Sequence, residues 1–174
     1  VSSKLDPATV DKLIQELNSK NLYLIAMVPA FRERYYCLDH SSSGLEVTRR
    51  THLWEDKDKC YWLDPTDTGA INWLIQIVEE LRSMGFDEVV FTEFRIPNSD
   101  RIKFSGDREA AIKNAAAKLV ETCGTPNFII SFATNDTTFV LPDSSKSRIY
   151  LTDVGAKDAD AAAAKVQVEN QETN

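Results

Sequence analysis

The chain has 174 residues, of which 43% are hydrophobic and 27% charged, and carries a formal net charge of −7 at pH 7. That length suffices for one domain with a real core but falls short of the roughly 250 residues that a whole (β/α)8 barrel usually takes. The acidic balance excludes a nucleic-acid surface, since phosphates are neutralised by clustered Lys and Arg, and Arg49-Arg50 is the only compact basic pair.

Asp6-Pro7 predicts a helix start, with Val10, Leu13, Ile14 and Leu17 at helical spacing and an end near Asn18 to Lys20. Leu22 to Ala30 is a continuous apolar run, the pattern of a strand buried on both faces of a parallel sheet. Phe31 to Tyr61 reads as a long polar, irregular loop, of the kind that is functional or disordered inside a compact domain. Asp64-Pro65-Thr66-Asp67 then opens an amphipathic helix carrying Ile71, Leu74, Ile75, Val78 and Leu81, stopped at Met84-Gly85 by a glycine cap. Glu88 to Phe94 is the second predicted strand and Arg95 to Gly106 a second loop. A helix over Asp107 to Cys123, strands over Phe128 to Ala133 and Arg148 to Leu151, and a last helix over Asp158 to Val168 complete the order, with 169–174 a frayed tail.

Strands alternating with helices imply right-handed parallel βαβ units in a single α/β domain over 1–168. Both half of a (β/α)8 barrel and a small open doubly wound sheet satisfy that order. The short length and Val1 in place of Met favour a piece of a larger barrel, which the remainder of that barrel or another copy of the chain would complete. No run reaches the ~18 apolar residues of a membrane span, and no signal-peptide pattern opens the chain. The compartment stays open, a secreted or cell-surface full-length protein being compatible with both.

Cys37, Cys60 and Cys123 are widely separated, with only His40 and His52 to join them, so free thiols are expected rather than a zinc site. Neither a GxGxxG nor a GxxxxGK[ST] phosphate loop nor a GxSxG elbow occurs, and no cofactor is implied.

In parallel α/β folds ligands bind at the carboxyl ends of the strands. Each predicted strand delivers charge there: Arg32, Glu33 and Arg34 after the first, Glu93 and Arg95 at the second, Asn135-Asp136 after the third and Asp153 after the fourth. Glycoside hydrolysis needs two carboxyl groups about 5 to 9 Å apart across such an edge, which makes Glu93, Glu33 and Asp136 the catalytic candidates. Charges after buried strands are also commonly solvated loop residues. Glu93, inside the apolar VVFTEF, would be costly to bury unpaired, and Arg95 two residues on is placed to pair with it. Tyr35, Tyr36, Trp54, Tyr61 and Trp62 cluster in the long loop, where flat rings beside polar groups suit sugars or simply pack on the rim.

The run GFDEVVFTEFRIP (Gly85 to Pro97) resembles the GFDEIQFDYIRFP signature of the putative glycosyl hydrolase domain family, bacterial relatives of the amylase-like and other barrel glycosidases. NLYLIAMVPAFRER and YWLDPTDTGAINWLIQIVEELRSMGFDE are similar to two further segments of that family, so the resemblance spans about Asn21 to Pro97. It implies a (β/α) barrel with function at the strand ends. The Asp that the resemblance implies as the site carboxylate, however, falls on Thr92, and a carboxylate shifted one place to Glu93 faces the other side of a regular strand unless the strand bulges. The expected function is therefore a glycoside-hydrolase-like segment acting on or binding polysaccharide, with Arg95, Arg32, Thr92, Trp54, Trp62 and Tyr36 in contact with it. A non-catalytic descendant that binds carbohydrate or protein is the alternative.

Overall fold

The computed structural model describes residues 6–168; the expected tail lies outside them. Helix α1 (Pro7–Ser19) leads into β1 (Ile25–Pro29). The segment expected to be one long loop is folded: it holds β2 (Arg32–Glu33), the single turn α2 (Tyr36–Asp39), β3 (Glu46–Val47) and β4 (Tyr61–Trp62). Then follow α3 (Thr68–Ser83), β5 (Glu88–Thr92), β6 (Ile102–Lys103), α4 (Arg108–Cys123), β7 (Ile129–Thr134), β8 (Val140–Leu141) and β9 (Ser147–Leu151). The last helix is shorter than its alanine-rich sequence predicts: α5 covers Ala159–Ala163, and the backbone then forms β10 (Gln167–Val168), which pairs with β8.

β1, β5, β7 and β9 form one parallel sheet in strictly sequential order. A doubly wound sheet would show an order reversal, so the half-barrel reading holds.

The helix boundaries follow from their caps. Asp67 accepts a hydrogen bond from the Ala70 amide, and Asp107 accepts from those of Glu109 and Ala110. Asp6 instead accepts from the Thr9 hydroxyl. α3 ends in a paired motif, Gly85 N–H donating to the Arg82 carbonyl and Phe86 N–H to that of Leu81. Gly85 takes φ +91°, and an added Cβ there would lie 2.3 Å from Asn18.

Alternation along the strands divides the sheet into two faces. Val89, Phe91, Ile130 and Phe132 pack with Leu74 and Val78 of α3 and Ala116, Leu119 and Val120 of α4 into the main core. The opposite face carries Ile25, Met27, Glu88, Val90, Thr92, Ser131 and Arg148. Here β1 departs from expectation. It is an edge strand and its helix-free side is open, with Met27 70% exposed, so it is not buried on both faces.

Towards the middle of the sheet that face is covered, Val90 being 2% exposed and Ser131 0%, and with them is buried a carboxylate, Glu88, at 0% exposure. Its carboxylate accepts from Tyr23 Oη at 2.8 Å, from Arg148 Nη1 at 2.6 Å and from Ser131 Oγ. A buried carboxylate left without its cation is costly, but the Arg148 side chain is 51% exposed, which reduces the loss. Arg148→Ala should lower stability by about 2 kcal/mol, and Ser131→Ala by about 1 kcal/mol, in urea unfolding followed by circular dichroism.

Candidate functional site

β5 ends at Thr92, on the same face as Glu88 and Val90 and therefore towards what would be a barrel interior. The next residue breaks the strand: Glu93 has φ +51°. Its carboxylate receives Arg95 Nη2 at 2.8 Å and Nε at 3.1 Å. With 34% and 57% of the two side chains exposed, this is a rim ion pair rather than a buried one.

Arg95 also lies over Trp62, 4.9 Å from the ring centroid, and Trp62 meets Trp54 edge-on at 6.5 Å. The Trp62 indole N–H donates to Asp56, which accepts Arg32 Nε at 2.7 Å. Arg32 reaches Asp58 as well, at 2.8 Å. The β2–β4 pair sets this up by placing Arg32 opposite Trp62. Arg32, Trp54, Trp62, Glu93 and Arg95 are thus brought into one connected set beside Thr92.

Three expected residues stand apart from that set. Glu33 is turned onto the amides of Tyr35 and Tyr36 and caps α2. Tyr36 stacks between His40, at 4.1 Å, and Trp73, at 4.7 Å, and donates to the Gly69 carbonyl. Asp136 accepts from the amide and hydroxyl of Thr138 in the turn after β7. That turn and Arg95 line one cleft of about 450 Å³, together with Phe94, Asn135, Phe139 and the start of α4. Asp153, after β9, is exposed and has φ +59°.

Asp56 and Asp58 were not singled out in the sequence, where Glu55 to Lys59 reads as an ordinary charged loop. Burial alone would raise the Asp56 carboxyl, but hydrogen bonds from Arg32, the Cys60 amide, the Trp62 indole and the Asp58 amide together hold it well below the usual carboxylate range. Its stabilising contribution is present above the ordinary carboxylate range near pH 4 and is lost as pH falls towards its depressed folded value. Asp56→Asn should therefore lower stability at pH 7 and flatten the stability loss between about pH 4.5 and 2, read by urea titration at stepped pH.

Two of the three thiols, Cys37 and Cys123, are buried. Burial pushes Cys37 up to about 12 and raises Cys123 as well. Cys60 is half-buried. A thiol-disulfide reagent should titrate one cysteine quickly in the native protein, Cys60, and all three only after unfolding. Among the described residues no group of three His, Cys, Asp or Glu side chains is arranged to hold a metal ion, and no helix is long and apolar enough to cross a membrane.

The sheet order, the loop-borne site at the strand ends and the Gly85 to Pro97 segment agree with a sequence match that covers residues 2–125. The chain belongs to the putative glycosyl hydrolase domain family. No curated protein matches it in sequence. Among solved structures, a hypothetical protein from Ruminiclostridium thermocellum superposes with a TM-score of 0.65 at 24% identity, over 75% of this chain and 67% of that one. An α-galactosidase from Thermus thermophilus gives 0.55 at 15% identity, over 70% of this chain and 26% of the enzyme. A sulfoquinovosidase from E. rectale gives 0.55 at 16%, over 71% and 21%. At these identities the likeness is one of fold: a glycoside-hydrolase-like α/β barrel architecture, of which this chain spans about a quarter of the galactosidase's length.

Proposed function

We propose that this chain binds carbohydrate at the carboxyl edge of its sheet and does not itself hydrolyse it. The observation that carries this reading is the commitment of each candidate acid to another partner. Glu93 is held by Arg95, Glu33 by two backbone amides and Asp136 by Thr138, while the inward position at the end of β5 is Thr92. A threonine cannot act as nucleophile or stabilise an oxocarbenium-like transition state as a carboxylate does. Binding needs less: a cleft, apolar wall and fixed donors. The Phe94 to Phe139 cleft supplies the first two, and Arg95, fastened by Glu93 and Trp62, supplies guanidinium donors in its lining. The glycosidase fold of its neighbours supports the ligand class.

The test is a panel of neutral oligosaccharides, with binding followed by tryptophan fluorescence and hydrolysis by release of reducing ends. At least one sugar should bind, Arg95→Ala should weaken it by roughly tenfold, as loss of a charge-assisted hydrogen bond does, and no product should form. Hydrolysis by the wild type that disappears in Glu93→Gln would overturn the binding-only reading in favour of an enzyme that uses Glu93.

A further inference from the structure

A second cleft, of about 420 Å³, is walled by β3, by the turn that returns to Trp54, and by Arg101 just before β6; it shares Trp54 and Asp56 with the set around Arg95, but Arg95 is not among its walls. Its frame is rigidly built. β3 pairs antiparallel with β6, Val47 opposite Ile102, and the returning chain is tied to β3 by Val47 N–H donating to the His52 carbonyl and Trp54 N–H to that of Leu45. Thr48 bonds the Arg101 carbonyl through its amide at 2.7 Å and the Asp100 carbonyl through its hydroxyl at 3.2 Å. These bonds hold Arg50, in the turn between, and Arg101, just before β6, on the wall of one cleft with Trp54.

The charges in that cleft do not cancel. Asp56 is taken by Arg32 at 2.7 Å and Glu55 by Lys59 at 3.5 Å. Arg50 and Arg101 have no ion-pair or hydrogen-bond partner for their guanidinium groups among the described residues. A chain with a net charge of −7 thus presents two uncommitted guanidinium groups and an indole in one concavity. Guanidinium groups bind carboxylates through paired N–H donors, and an aromatic ring suits the apolar C–H face of a pyranose.

We propose that this cleft binds an acidic sugar unit, a uronate whose carboxylate is held by Arg50 and Arg101 and whose ring lies against Trp54. The proposal rests on the carbohydrate binding proposed for the sheet edge but uses a cleft that Arg95 does not line, joined to that edge through Trp54. It makes the ligand an anionic polysaccharide, bound by local charge against the overall repulsion of an acidic chain, so affinity falls as salt rises.

The experiment is calorimetric titration of the whole chain with trigalacturonate, with its carboxyl-reduced neutral counterpart and with sodium sulfate. Wild type, Arg50→Ala/Arg101→Ala, Trp54→Ala and Arg95→Ala are compared, and circular dichroism confirms the fold of each. Trigalacturonate should bind the wild type, weaken roughly tenfold or more in the double variant and weaken also in Trp54→Ala. Absence of trigalacturonate binding, or equal affinity in the double variant, overturns the proposal. So does sulfate binding as tight as that of the uronate with Trp54→Ala unchanged, which would mark a simple anion site. Neutral sugar binding that is lost in Arg95→Ala, without uronate binding, sinks this inference and leaves the edge site standing. Uronate binding that depends on Arg50 and Arg101, with neutral sugars inert, does the reverse.

Discussion

The carboxylate of Glu88 is the point from which the sheet is fixed. It sits fully buried at the start of β5 and accepts from Tyr23 just before β1, from Ser131 in β7 and from Arg148 in β9, so one group ties together all four strands of the parallel sheet. Because side chains alternate, a slip of one residue in any strand would carry its contribution to the helix-covered face and leave a buried charge unpaired. Neighbouring Asp87 adds to this, accepting the Leu24 amide at 2.7 Å and so locking the start of β1 to the start of β5. The Gly-Phe-Asp-Glu sequence is therefore structural in this chain: Gly85 ends the helix, Phe86 closes the cap, and the two acids set the register.

Register at the amino ends dictates what arrives at the carboxyl ends. Thr92 is four residues beyond Glu88 and so shares its face. This separation of roles is the one that barrel folds favour, with stability at one rim and variable chemistry at the other. The carboxyl rim here is furnished in part by the folded segment between β1 and α3. β2 and β4 bring Arg32 and Trp62 together, and Asp56 cements them by accepting from both.

Much of this was legible in the sequence, because the signals were local. Apolar periodicity, the Asp64 to Asp67 run before α3, Gly85 at its end and the Asp107 to Cys123 span of α4 gave those two helices to within a few residues, the structure adding that Asp67 and Asp107 are the caps. The pairing of Glu93 with Arg95 followed from a spacing of two. What depended on distant partners was not legible. Nothing in the sequence around Glu88 says that Arg148, sixty residues on, reaches it, and nothing around Asp56 names Arg32. The openness of β1 was hidden for the same reason: an apolar run records what a strand can bury, while its place at the edge of the described sheet leaves Met27 exposed. Val168 joined β10 rather than the last helix because pairing with β8 outweighed a local preference.

The bend at Glu93 shows why the carboxylate nearest the expected catalytic position is poorly placed for chemistry. A non-glycine residue at φ +51° costs on the order of 1 kcal/mol. The half-exposed ion pair to Arg95 returns at most about 1 kcal/mol. The stronger stabilisation comes from the next residue. Phe94 is 5% exposed and meets Phe31 at 4.7 Å, Phe132 at 4.6 Å and Phe139 at 6.3 Å, and burying such a ring stabilises by about 1.5 to 3 kcal/mol. The chain therefore leaves the strand at Glu93 so that Phe94 can enter the core. Glu93 is carried by that turn to the solvent side of the rim, where Arg95 holds it, and the inward place at the end of β5 falls to a hydroxyl.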